Sequence, residues 1–205
     1  MEGDSLECAC LLRFREFEER RNRYYSNEGE RKNKKMKKNI VLIGMPGSGK
    51  STLGVVLAKK LNMRFLDSDL VIQEEYGKTL EELIEEHGDA GFIRIEDEVN
   101  YNLNPHNTII ATGGSAVYGK RAMEHFKQIG TVIFLDVPVE DIYDRVGSLK
   151  ERGVVSNGKN GIEEIFADRN RLYHKYADII YTQKNNMLRE SVEELYAIIK
   201  NKIER

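Results

Sequence analysis

The sequence predicts an α/β fold, a three-layer α/β/α sandwich around a five-stranded parallel sheet. Two observations predict it. From Asn39 onward, short apolar runs alternate with segments of helical periodicity, the pattern of strands whose crossover helices cover both sheet faces. The first such unit also carries Gly44-Met-Pro-Gly-Ser-Gly-Lys50-Ser51 between the apolar run Ile40–Ile43 and a periodic segment through Val55, Val56, Leu57 and Leu61. That is the strand, loop, helix order of a phosphate-binding P-loop.

In chain order, strands are expected at Ile40–Ile43, Arg64–Leu66, Thr108–Ala111, Thr131–Leu135 and Ile179–Tyr181. Helices are expected at Lys50–Leu61, Leu80–His87, Ala90–Leu103, Lys120–Gln128, Val139–Val146, Ile162–Tyr176 and Leu188–Lys202. The last has Val192, Leu195, Tyr196 and Ile199 on one stripe and should pack on the sheet. Residues 147–161 are rich in Gly, Ser, Asn and Lys with little periodicity, and a loop of that length in a compact domain suggests a lid. Residues 1–35 differ from the rest: charges of both signs crowd Arg13–Arg23, and Ser26–Lys38 is polar and basic. They are expected to form a disordered extension or to precede a natural start at Met36, with residues 36–205 as the P-loop domain.

Composition narrows the function classes. The chain has 205 residues, 40% of them hydrophobic, and a formal net charge of −2, which gives no overall attraction to nucleic acid or anionic lipid. No apolar run is long enough to span a membrane, and no signal peptide is evident after acidic Glu2 and Asp4. The two cysteines, Cys8 and Cys10, have no nearby metal-ligand pair, so a reducing cytoplasm is the expected location. No nucleic-acid or membrane partner is expected, and a monomer is the working expectation.

The P-loop implies a nucleoside triphosphate. Its small residues let backbone N–H groups turn inward around an anion, and the following helix N-terminus adds a favourable dipole. Gly44, Gly47, Ser48, Gly49 and Thr52 belong to this cradle; Lys50 would reach the terminal phosphates, and the Ser51 hydroxyl would ligate Mg²⁺. After the second strand, Asp67 and Asp69 stand two apart where sheets of this class bind ligands. Asp67 could support the metal and Asp69 could take a proton from an acceptor hydroxyl, or one of them could cap the next helix. The paired Gly113 and Gly114 after the third strand would let backbone approach a ligand.

From Met36 onward the chain resembles the shikimate kinase family, small P-loop kinases of nucleoside-monophosphate-kinase architecture. The resemblance rests on the P-loop, Phe65-Leu-Asp-Ser-Asp69, Gly91-Phe…Glu96, Thr112-Gly-Gly114, Phe134-Leu-Asp-Val137 and Arg169…Leu172-Tyr173…Ala177-Asp178. It implies sheet order 2-3-1-4-5, ATP with Mg²⁺, and phosphoryl transfer to a hydroxyl of shikimate. By resemblance Asp69 would bind the acceptor and act as base, Gly113 and Gly114 would line its pocket, and Arg169 would grip its carboxylate. Arg145 would lie against adenine, and Arg152 would come in with the lid. Without the resemblance, Arg145 and Arg169 read as a solvated helix face. Ile93 stands where the family has a substrate arginine, Ser115 replaces a third glycine, Gly153 replaces proline after Arg152, and Arg171 replaces the proline before Leu-Tyr. With Ile93 at the pocket wall, the acceptor could instead be another small alcohol of gluconate or homoserine type. A nucleotide-binding, non-catalytic homologue is the remaining alternative.

Overall fold

Five short apolar runs pair side by side, all in parallel, in the order β2-β3-β1-β4-β5. They are β1 (Asn39–Ile43), β2 (Arg64–Asp67), β3 (Thr108–Ala111), β4 (Gly130–Asp136) and β5 (Ile179–Thr182). The computed structural model describes residues 39–146, 162–183 and 187–203. The expected extension, residues 1–35, and the expected lid, residues 147–161, lie outside them. Central β1 is buried at every position, whereas edge strand β5 alternates buried and exposed residues, as a strand with only one neighbour can.

The two-residue period of the strands sorts the core onto two faces. Val41, Ile43, Ile110, Val132 and Phe134 point one way, and Ile40, Leu42, Ile109, Ile133 and Leu135 the other. The second face is covered by α1 (Lys50–Leu61) through Leu53 and Leu57, and by α7 (Leu188–Ile203) through Val192, Leu195 and Ile199. The terminal helix is therefore a core element, as its stripe predicts. The first face is covered by α3 (Leu80–Asn102), α4 (Lys120–Ile129), α5 (Val139–Val146) and α6 (Ile162–Tyr176), with Phe92, Met123, Phe126, Ile142 and Tyr173 among the covering residues.

One element was not expected. Ser68–Tyr76 forms an additional helix, α2, whose buried residues are only Ser68, Val71 and Ile72; an apolar stripe that thin gives little periodic signal. The two helices expected over Leu80–Leu103 are both present and meet at a kink at Gly88, whose φ of 66° and ψ of 170° are non-helical; together they are α3. A capping box starts that helix: Glu82 N–H donates to Thr79 Oγ1 at 3.2 Å, and Thr79 N–H donates to Glu82 Oε2 at 2.7 Å. No helix among the described residues is long and apolar enough to cross a membrane.

Candidate active site

Parallel strands deliver every following loop to the same sheet edge, so the segments after β1, β2 and β3 converge beyond the strands' carboxyl ends. There they enclose a cleft of about 710 Å³, lined by P-loop residues 46–52, Asp69, Glu96, residues 112–115 and Arg169.

The P-loop is shaped by its glycines. Gly44 has φ of 150°, and a Cβ there would sit 2.8 Å from the Leu135 carbonyl oxygen; Gly49, which precedes α1, has φ of 88°. Both positions suit only a residue without a side chain. Lys50 is buried and its ammonium donates to the carbonyl oxygens of Gly44 and Met45, both at 2.8 Å. Burial pulls its pKa down to about 8, opposed by the negative charges of Asp69 and Asp67. Gly44 therefore acts from behind, holding Lys50, while Gly47, Ser48, Gly49, Lys50, Ser51 and Thr52 face the cleft.

Asp67 caps the next helix and also bonds the P-loop serine. Its Oδ2 accepts from the Ser51 hydroxyl at 2.6 Å, and its Oδ1 accepts from the Asp69 N–H at 3.1 Å, capping α2. Asp69 in the first turn of α2 is half-buried. Burial, then the neighbouring Asp67 charge, push its pKa up to about 6 against the pull of Lys50. No group of three or more His, Cys, Asp or Glu side chains arranged for a metal occurs among the described residues. The Ser51–Asp67 pair instead suits a magnesium ion held by one or two protein oxygens together with substrate phosphates.

Beyond Asp69, backbone takes the place of side chains. A Cβ on Gly113 would collide with Glu96 Oε1 and lie 2.7 Å from Asp69 Oδ1, so two carboxyl groups face one another across that missing side chain. A Cβ on Gly114 would lie 2.6 Å from Pro46 Cδ and 2.9 Å from an Arg169 terminal nitrogen. The Tyr173 hydroxyl donates to the Gly114 carbonyl at 2.7 Å, and the Arg169 guanidinium lies 5.4 Å from the Tyr118 ring centre. Arg169 is only 1% exposed, which overturns its reading as a solvated helix residue. Sequence periodicity places Tyr173 one turn after Arg169 on α6, but Tyr118 is brought to it by the fold.

Not every expected residue reaches the cleft. Ile93, expected at the wall, is absent from the cleft lining; its half-buried side chain packs against the hydrophobic cluster on the first sheet face. Phe92 and Glu96, four residues apart and hence on one helical face, line the cleft. A one-residue step turns Ile93 about 100° off the position of Phe92. Arg94 is exposed and does not substitute for it. Arg145 falls near the end of α5, and Arg152 lies outside the described residues. Gln183 and Leu188 also line the cleft and carried no sequence signal. Glu96 is 1% exposed, and neither carboxyl oxygen has a hydrogen-bond partner among the described residues. Its motif position was visible in the sequence, although its approach to Asp69 was not.

Comparison with known proteins agrees with this geometry. The shikimate kinase family profile matches residues 46–200. A shikimate kinase of Clostridium botulinum is 39% identical over 167 residues, spanning 81% of this chain and 99% of the relative. The solved shikimate kinase of Acinetobacter baumannii in complex with shikimate superposes with a TM-score of 0.74 at 32% identity, covering 82% of this chain and 96% of that one. A Candida albicans thymidylate kinase shares the fold alone, with a TM-score of 0.55 at 14% identity. With its P-loop intact and most of its length matched, the chain belongs to the shikimate kinase family of ATP-dependent phosphotransferases.

Proposed function

We propose that this protein transfers the γ-phosphoryl group of ATP to a hydroxyl of shikimate, giving shikimate 3-phosphate and ADP for aromatic amino-acid biosynthesis. One observation carries the reading: the phosphate cradle, an acid suited to deprotonate an alcohol, and a buried arginine all open into one cleft. The acceptor oxygen bonds to the γ-phosphorus, the bond from that phosphorus to the bridging oxygen of ADP breaks, and the hydroxyl proton passes to Asp69. Gly47 to Thr52 present backbone N–H groups to the phosphates, and Lys50 stabilises negative charge there. Ser51 and Asp67 would hold Mg²⁺, which would supply neutralisation of the phosphate charge. Arg169 holds the acceptor carboxylate, and the backbone at Gly113 and Gly114 lets the acceptor ring approach closely.

Residues 36–205 act as the catalytic domain after an extension of 35 residues, with 147–161 as the lid that brings Arg152 to the transferring phosphoryl group and Arg145 beside adenine. Action as a monomer is part of this reading, and an ATP-fed biosynthetic step suits the cytoplasm. Ile93 was the reason to consider gluconate- or homoserine-type acceptors; it lies off the cleft wall, while Arg169 lines the cleft. Purified protein with Mg-ATP should phosphorylate shikimate in preference to gluconate and homoserine. Turnover of either alternative with shikimate inert would reject the assignment.

A further inference from the structure

Glu96 is a buried acid with little compensation, the Ser115 hydroxyl nearby falling short of a well-formed hydrogen bond. Both of its carboxyl oxygens lack a hydrogen-bond partner among the described residues, yet the residue lines the cleft. The groups that face it come from every element around it: Asp69 from α2, Lys50 from α1, Arg169 and Tyr173 from α6, and Ser115 from the turn after β3. The nearest like charge is Asp69, separated from it only by the side chain that Gly113 lacks. Two carboxylates so close, one of them fully buried, do not both ionise readily. The proton belongs to the drier member, Glu96, which is 1% exposed. Environments that drive two acids apart in this way assign one as acid and the other as base.

We propose that Glu96 is a specificity-determining residue: a neutral carboxyl that donates a hydrogen bond to an acceptor oxygen in the cleft, across from Asp69. This deepens the proposed kinase function and rests on it. A protonated Glu96 offers the acceptor an oriented donor in the cleft that Arg169 also lines. A buried donor that only the right acceptor can satisfy discriminates strongly against molecules lacking a matching oxygen. Burial, followed by the Asp69 charge, pushes the Glu96 pKa up to about 8 against the pull of Ser115, Arg169 and Lys50. Acceptor binding is therefore linked to protonation at mildly alkaline pH.

The test is the KM for shikimate at saturating Mg-ATP, measured from pH 6.5 to 9.5 in wild type, Glu96→Gln and Glu96→Ala. Wild type should hold a steady KM to about pH 8 and then show an increase approaching tenfold per pH unit. Glu96→Gln, a permanently neutral donor, should lose that rise and should bind shikimate at least about fivefold better at pH 7 than Glu96→Ala. A rise that persists in Glu96→Gln, or equal KM values for Gln and Ala, overturns the proposal. In wild type alone, calorimetry of shikimate binding at pH 8 in two buffers of different ionisation enthalpy should show net proton uptake; none overturns it. Lys50 also titrates near this range, but that titration would persist in Glu96→Gln. Shikimate turnover with a flat pH profile rejects only the Glu96 role, whereas absence of shikimate turnover with folded protein rejects the kinase assignment beneath it.

Discussion

Replacing Gly113 by alanine tests the acceptor half of the cleft with one methyl group. Its Cβ would collide with Glu96 Oε1 and lie 2.7 Å from Asp69 Oδ1. Neither contact can persist, because real Cβ atoms keep about 3.4 Å or more from most neighbours. Glu96 cannot readily withdraw, since it is 1% exposed and packed on α3; Asp69 is tied through its backbone N–H to Asp67. Overpacking of this kind costs about 1–3 kcal/mol, and for a chain of this size each kcal/mol lowers Tm by about 2–4 °C. The larger effect is on chemistry: moving the base by a fraction of an ångström to an ångström costs up to roughly 100-fold in rate. Gly113→Ala should therefore lower kcat/KM for shikimate by about 10- to 100-fold, with the KM for ATP changed less than about threefold, because the P-loop glycines are untouched. Steady-state kinetics with each substrate varied in turn, alongside a melting curve, measures both. A variant with wild-type kcat/KM would show that Asp69 and Glu96 do not border the acceptor.

Two further substitutions probe the same acids separately. Asp69→Asn should reduce kcat by about 100- to 10,000-fold, the usual worth of a positioned general base, while Mg-ATP still raises Tm. In wild type, protonation of Asp69 should make kcat fall as pH drops through about 6, and a kcat unaffected by the Asn substitution would remove Asp69 from the chemistry. Glu96→Gln also has a stability signature. The folded pKa of Glu96 is raised from 4.5 to about 8, so the contribution of its protonated form to stability is complete below pH 4.5 and declines as pH rises towards about 8. The decline is about 1.4 kcal/mol per pH unit. The Tm of Glu96→Gln relative to wild type should accordingly rise from pH 5 to pH 8 and level off above; a constant difference across that range would contradict burial of an uncompensated acid.

Much of the fold was legible because its signals are local. The buried strands are largely apolar runs, and the P-loop glycines mark a turn whose positive φ at Gly44, Gly47 and Gly49 favours glycine. Gly88 marked the break between Leu80–His87 and Ala90–Leu103, and the chain kinks there with a non-helical φ and ψ. Helix α2 was hidden because Gln73, Glu74 and Glu75 dilute its apolar stripe and because Asp67, its cap, also suits a metal site. In the site, Lys50, Ser51, Asp67 and Asp69 follow from motif and spacing. The burial of Arg169 does not, since an arginine on a polar helix is indistinguishable from a solvated one until Tyr118 and Tyr173 enclose it. The position of Ile93 was missed for the converse reason: alignment with a functional position does not rotate a side chain into the cleft.

The double engagement of Asp67 explains why the nucleotide and acceptor halves keep their spacing. One carboxylate oxygen holds Ser51 at the first turn of α1 and the other holds the Asp69 N–H at the first turn of α2. A rigid planar group of two oxygens thus fixes two helix starts relative to one another, and with them the phosphate cradle relative to the base. Phosphoryl transfer depends on the donor phosphorus and acceptor oxygen meeting in line, so most of its acceleration comes from positioning and electrostatics. Helix capping at Asp67 and its proposed metal support would therefore act together: the bond that starts α2 also holds Asp69 in register with Ser51 at the start of α1.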